Sequence, residues 1–515
     1  MSTAVATAAL VPALLLSTGG SAAAANHSLT LTALNRSGVK VAVSGNAVHL
    51  ASNRTYSLRA GKAKKLPKGK YAVLTSIMTG NTITLGAKTV KVSGASQVTV
   101  DARQGKQVRM SLSPAPAGLE AFTGAQICAE GNLGGRVEAE VSSSTALYVV
   151  PSRSKSLQFA ALGSWSNPTA MTDAYAVLHR TTGVPSSPSR VFSQSRLATA
   201  SVTARRGPSG AESAILWAQP DDDRCGSGLS GSLGTSERPS TTKVRFSPGK
   251  WEIGARSYAT SMGNEYSYDG GWSTKLQAAA GKSYRVRFYN AAWGPSTQLP
   301  AVLYGRISFL LDDMFQDPLL PPGGEGNSRA TATLKFRGKT VKTKKDNGNV
   351  YGPVLYYWVK KAGWYTLTNT ATRYDPGITY PAGMLSTKSS VTYRFHAKPD
   401  SSVLARVYSI QMIPAGLDAY SRAAAGSVTN VTLKLSRKKQ DPDAKRGADP
   451  KLKTLTASVS SDGVTWRPVP VKKINGSWTA VVKNPTSGAV SIKTRATYQG
   501  GGYTETTIHR AYGIS

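Results

Sequence analysis

The 515-residue chain carries 63 Lys and Arg against 27 Asp and Glu, a formal charge of +36, and 40% of its residues are hydrophobic. This length is too great for one core and calls for two to four domains, and the apolar fraction is enough for ordinary cores. Fifty glycines among scattered Ser and Thr favour many short strands over helices, and two cysteines exclude a disulfide-dense scaffold.

Residues 1–25 hold an apolar run, Ala4 to Leu16, and small residues ending in Ala23-Ala24-Ala25, the pattern of a secretory signal peptide, although no Lys or Arg precedes Arg36. Pro12 and Gly19-Gly20 leave the run too short to span a bilayer, so the expectation is a secreted, extracellular chain with no transmembrane segment in its mature part. In an oxidising compartment Cys128 and Cys225 would pair, the alternative being two separately buried thiols.

Residues 26–116 alternate apolar and polar side chains in LTLTAL (Leu29–Leu34), VKVAVSG (Val39–Gly45), KTVKVSG (Lys88–Gly94) and SQVTVDAR (Ser96–Arg103), which predicts a first β domain. Residues 117–304 read as a central β domain, with longer aromatic strands such as SLQFAAL and SYRVRFYNAAWG and with long polar loops. Residues 305–400 read as a β-sandwich, and 401–515 as an immunoglobulin-like sandwich with an exposed basic loop at 436–453. The fold class expected is all-β, several tandem β-sandwiches of immunoglobulin-like or jelly-roll-like type, with no helical period long enough to predict a helix and little helix in the mature chain.

Positive charge is densest in GKAKKLPKGK, KFRGKTVKTKK and SRKKQDPDAKRGADPKLK. Lys62, Lys64, Lys65, Lys68, Lys344, Lys345, Arg437, Lys438 and Lys439 are therefore the candidate contacts to a polyanion such as an anionic cell-wall polymer, set against the plain reading of a solvated surface. In YYWVKKAGWY (Tyr356–Tyr365), exposed rings beside lysines would suit nucleic acid. Val354, Tyr356 and Trp358 alternate as one strand face, however, and are assigned to a core, so no specific nucleic-acid binding is expected.

Catalytic signatures are absent. The five histidines, His27, His49, His179, His396 and His509, have no Ser or Asp at a telling offset, and no Gly-x-Ser-x-Gly elbow, His-x-x-x-His, Cys-x-x-Cys or phosphate-binding glycine loop occurs. Asp221-Asp222-Asp223 and Asp312-Asp313 are the carboxylate clusters that would have to hold calcium, but adjacent strand carboxylates point apart. No catalytic residue, metal or cofactor is expected. SSDGVTW (Ser460–Trp466) is close to a sialidase Asp-box, but Asp and Gly are adjacent and the motif occurs once. It reads as a hairpin turn with Gly463 at positive φ and Trp466 anchored in a core, like Trp478.

That hairpin and its sequel, SVSSDGVTWRPVPV through TTIHRAYGI, resemble the C-terminal domain of large secreted subtilisin-like serine proteases of Gram-positive bacteria. LPKGKYAVLTSIMT, VTVDARQGKQVRMSL and YRVRFYNAAWGPS are similar to the accessory region behind the catalytic domain of those enzymes, so the resemblance spans about Leu29 to Ser515. The Asp-Thr-Gly, His-Gly-Thr-His and Gly-Thr-Ser-Met-Ala motifs of the protease are missing. The resemblance implies a free-standing, non-catalytic accessory chain. The role expected is binding or structural, with anionic cell-wall polymer or another secreted protein as the partner. The alternative is the separated tail or partner of such a protease, or a cryptic hydrolase.

Overall fold

A computed structural model describes residues 27–515, except 131, 168–171, 209–210, 223, 261–265, 322–327, 349–351, 375–378 and 439–443. The expected signal peptide, residues 1–25, lies outside the described residues. The described chain is all-β, and its helical content is two three-residue 3-10 turns, Ala102–Gln104 and Gln194–Arg196. None of its helices is long and apolar enough to cross a membrane.

In the strand His27–Leu34, Leu29, Leu31 and Ala33 turn inward and the residues between them turn out, the period of two that the sequence carries. This strand pairs with Ala63–Leu66 and Ser96–Asp101 in a three-stranded sheet, packed on a six-stranded sheet that centres on Gly69–Thr79 and Thr82–Val92. Tyr71 and Val73 face the smaller sheet, while Ala72 and Leu74 face a second core shared with the seven-stranded sheet that follows. The seven-stranded sheet is likewise covered twice. Ile127, Phe159 and Ala161 face the six-stranded sheet; Cys128, Ala160 and Leu162 face a four-stranded sheet built from Ser213–Pro220, Gly231–Glu237, Gly249–Thr260 and Tyr266–Ala278. Four sheets thus stack face on face, which is why YAVL and FAAL are unbroken apolar runs: strands buried on both faces lose their alternation.

The Cys128–Cys225 disulfide, with Cα atoms 5.7 Å apart, ties the strand Glu120–Ala129 to the turn before Gly231–Glu237.

The C-terminal half is built on one nine-stranded sheet. Its order runs from the edge strand Lys339–Asp346 through Ser328–Phe336, Gly363–Arg373, Lys388–Ala397, Tyr503–Ile514, Ala489–Tyr498 and Leu452–Ser460 to Arg467–Val469, with Arg422–Ala423 also on Tyr503–Ile514. One face is roofed by two separate four-stranded sheets. The first is Val354–Trp358, Arg306–Leu310, Ala301–Leu303 and Val403–Leu404; the second is Ser409–Pro414, Val428–Ser436, Ser477–Lys483 and Val471–Ile474. Phe309 meets Tyr393 beneath the first roof, and Met412, Leu433 and Val482 join Ile492 and Ala496 in the core beneath the second. The edge strand KTVKTKKD exposes Lys339, Lys342, Lys344 and Lys345.

Hydrogen-bonded pairing runs across positions 116, 304 and 400. Ala146–Val149 joins the N-terminal six-stranded sheet, Ala301–Leu303 pairs with Arg306–Leu310, and Lys388–Arg394 pairs with Tyr503–His509. The two halves also meet in a buried knot of Trp272, Tyr289 and Trp293, with the Trp272 and Trp293 rings 4.2 Å apart. Arg373 of the nine-stranded sheet stacks on Trp293 at 4.8 Å.

Candidate ligand-binding surfaces

The basic residues singled out in the sequence fall into three kinds of site. Lys62, Lys64, Lys65 and Lys68 are exposed on and around the strand Ala63–Leu66, at one edge of the three-stranded sheet. Lys344 and Lys345 are exposed on the edge strand of the nine-stranded sheet, far along the chain from the first group. Neither group enters an ion pair among the described residues; there, arginine makes every salt bridge except that of Lys275 with Asp221.

Arg437 corrects the expectation. Its side chain is 1% exposed, and its guanidinium donates to the carbonyls of Leu404, Ala405, Arg446, Gly447 and Ala448 and pairs with Asp449 at 3.3 Å. Burial lowers its pKa, and the Asp449 partner opposes that. A cation so enclosed cannot meet a polymer; it holds the loop shut. The basic loop is accordingly anchored, with Ala444 and Pro450 buried and Lys445 bonded through its backbone to Ser402 and Leu404, while Lys438 is exposed and Lys439 lies outside the described residues.

The carboxylate clusters are engaged by protein groups. Asp222 sits 2.6 Å from Arg180 and 2.9 Å from Arg224; burial pushes its carboxyl up, but the hydrogen bonds from the two arginines outweigh burial and hold it low. Asp223 lies outside the described residues. Asp312 accepts from the Gly352 amide, and Asp313 accepts from Ser296 Oγ at 3.0 Å, with burial pushing Asp313 up to about 6. No group of three or more His, Cys, Asp or Glu suited to a metal occurs among the described residues.

The histidines meet rings, a hydroxyl or cations. His49 Nδ1 bonds Ser52 Oγ, His396 lies edge-on to Trp364, and His179 lies edge-on to Phe159. His509 packs on Trp466, with burial and then the Lys388 and Lys493 charges lowering its pKa. Among the described residues none of them hydrogen-bonds a carboxylate, the orienting contact that a catalytic imidazole uses.

The hairpin at 460–466 has the expected turn, with Gly463 at φ +77°. Asp462 Oδ1 accepts from Ser460 Oγ and from the Val464 and Thr465 amides, which holds its carboxyl well below the usual range. Trp466 is not a core anchor. It is half-buried on the sheet surface with Lys493 Nζ 4.2 Å from its ring, and Trp478 is likewise half-buried, beneath Lys473 at 5.2 Å while packing on the core.

A second correction concerns the strand Val354–Trp358. Leu355 is fully buried, whereas Tyr356 is 46% and Trp358 61% exposed, so the face expected inside is outside. Both alternating sets are apolar, and Leu355, Tyr357 and Val359 take the inward positions, with Tyr357 6.1 Å from Tyr365 of the nine-stranded sheet. Across the strand pair, Arg306 stands opposite Trp358 and stacks on Tyr356 at 4.2 Å. An exposed strip of two rings and a guanidinium results.

No protein family and no curated protein matches this chain. Among solved structures it is similar to the Bacillus anthracis TIE protein, at 8% identity over 51% of this chain and 50% of that one, with a TM-score of 0.13; the alignment thus spans about half of that protein. It is also similar to a Streptococcal ancillary pilin, at 10% identity over 51% of this chain and 99% of that one, and to chicken CNTN1 FN1–FN3 domains, at 10% identity over 58% and 91%, both with TM-scores of 0.13.

Proposed function

We propose that this multi-domain β protein is an exported, non-catalytic accessory protein, as its resemblance to the accessory region of secreted subtilisin-like proteases implies, and that its charge lets it bind polyanionic polymer at the cell surface. The observation that carries the reading is the distribution of unneutralised lysine. With a formal charge of +36, the exposed lysines on separate sheet edges enter no ion pair among the described residues, which favours a surface field open to an external anion. Several weak contacts on a dense polyelectrolyte release counterions, and affinity then falls steeply with salt. The non-catalytic part of the reading is supported by the surroundings of His49, His179, His396 and His509, which provide no oriented base.

The test is retention of the exported protein on purified anionic wall polymer at low salt and at about 0.5 M, well beyond physiological screening. Retention that collapses at the higher salt is expected. No retention at low salt overturns the reading, and stoichiometric labelling by a fluorophosphonate probe overturns its non-catalytic part.

A further inference from the structure

The two roofing sheets cover one face of the nine-stranded sheet, and the residues of the opposite face form hydroxyl rows. Register places Thr333, Thr368, Thr392, Glu505, Arg495 and Thr456 side by side across six strands. The next row is Thr331, Thr370, Ser390, Thr507, Lys493 and Ser458, continued by Lys345 on the edge strand. On the other side lie Lys335, Thr366, Arg394, Tyr503, Thr497 and Thr454, and a shorter row holds Arg329, Thr372 and Lys388 beside His509. These side chains are half-buried or exposed except Thr507, which is 6% exposed. Seven cations and one carboxylate share the face, and that carboxylate, Glu505, is paired with Arg495 at 2.9 Å.

We infer that this outer face of the nine-stranded sheet is the docking surface for a linear, base-free phosphodiester polymer of the poly(glycerol phosphate) type, lying across the strands. The inference rests on the polyanion reading above and gives that reading a place. Charge complementarity selects an anion. The rows hold hydroxyls instead of apolar side chains, and so lack the desolvated apolar centre of a protein interface. Thr hydroxyls donate to phosphate oxygens, and Lys and Arg neutralise them. Six strands at about 4.8 Å spacing make a row about 24 Å long, suited to an extended chain of repeating anions. A nucleic acid fits less well, because the rings on or beside the rows are each covered by a cation of the face, Tyr503 by Arg495 at 4.0 Å, Trp364 by Arg394 at 4.4 Å, Trp466 by Lys493 at 4.2 Å and Tyr374 by Arg329 at 3.5 Å, so none of them offers a free ring to a base.

The experiment measures binding of the exported protein to immobilised poly(glycerol phosphate) at low salt. The face variant K335E/K345E/K388E is compared with K62E/K64E/K65E, which changes the net charge equally on a different sheet. The expected result is at least a tenfold weakening in the first and less than threefold in the second. Equal weakening in both overturns the docking face while leaving polyanion binding intact. Failure of the unmutated protein to bind overturns the underlying reading. K335Q/K345Q/K388Q, which adds no repulsion between neighbouring groups, keeps the comparison valid if the glutamate variant misfolds, and a several-fold loss is expected there too. T368V/T392V removes two row hydroxyls at constant charge; unchanged binding overturns the part assigned to the hydroxyls. Tighter binding to single-stranded DNA of equal charge overturns the choice of a base-free polymer.

Discussion

Arg306 stands directly opposite Trp358 across two antiparallel strands, and both side chains are on the solvent side of their sheet. The same strand sends Leu355 into the core.

Trp358→Ala should therefore change stability by no more than about 1 kcal/mol, the worth of an exposed ring–cation contact. Leu355→Ala, three residues away, should cost about 2–5 kcal/mol through lost burial and the cavity left behind. Denaturant unfolding of the two variants checks the pair, and a reversed order would put the wrong face inside.

Arg437→Met leaves the carbonyls of Leu404, Ala405 and Arg446 without their donor inside the protein. A loss on the order of 3–5 kcal/mol is expected, as for breaking other buried charged networks, together with faster proteolytic nicking near residues 438–448. Lys438→Gln should leave both measurements unchanged, since that side chain is exposed.

Burial raises the carboxyls of Asp313 and Asp317 to about 6. Unfolded, each ionises near pH ~3.9. Between these values the folded chain binds more protons than the unfolded one, so the stabilising contribution is full below about pH 4 and is lost as pH rises through about 6. His179 and His509, lowered by burial, act in the opposite sense as pH falls below their ordinary value. A difference measurement cancels them: the stability of the unmutated protein minus that of Asp313→Asn should fall by on the order of 2 kcal/mol from pH 4 to pH 7. A flat difference would contradict the burial of Asp313.

Removing the Cys128–Cys225 link, which spans 97 residues of sequence, should cost ~4–5 kcal/mol in the chain-entropy account. The double variant C128A/C225A, unfolded in denaturant beside the parent, measures it. Peptide mapping of exported protein should recover the two cysteines in one disulfide-linked peptide pair.

Alternation made the all-β class legible, and the turn at Gly463 followed from Ser-Asp-Gly between two strands. The orientation of a strand was not legible where both of its faces are apolar, as in VLYYWV. Period two assigns residues to two faces but not the faces to core and solvent. Burial on both faces likewise erased alternation in YAVL and FAAL, and with it the sign that the first sandwiches press on each other. Arg437 reads as a surface cation because its neighbours in sequence are charged, while the carbonyls that bury it include those of Leu404 and Ala405, more than thirty residues away. The threonine rows escaped the sequence altogether: each strand contributes between one and four of them, and only cross-strand register assembles the face.

The lysine-studded strand Lys339–Asp346 ends one side of the nine-stranded sheet, and Pro468 and Pro470 flank the other end. Two copies brought edge to edge would set like charges against each other or meet a residue that cannot donate, so neither border can template a further strand. The protein should therefore stay dispersed at concentrations where a bare sheet border would grow into fibrils. A counterion or polymer that titrates those lysines would lift the barrier, so the same charge that would recruit an anion also governs when the molecules begin to self-associate.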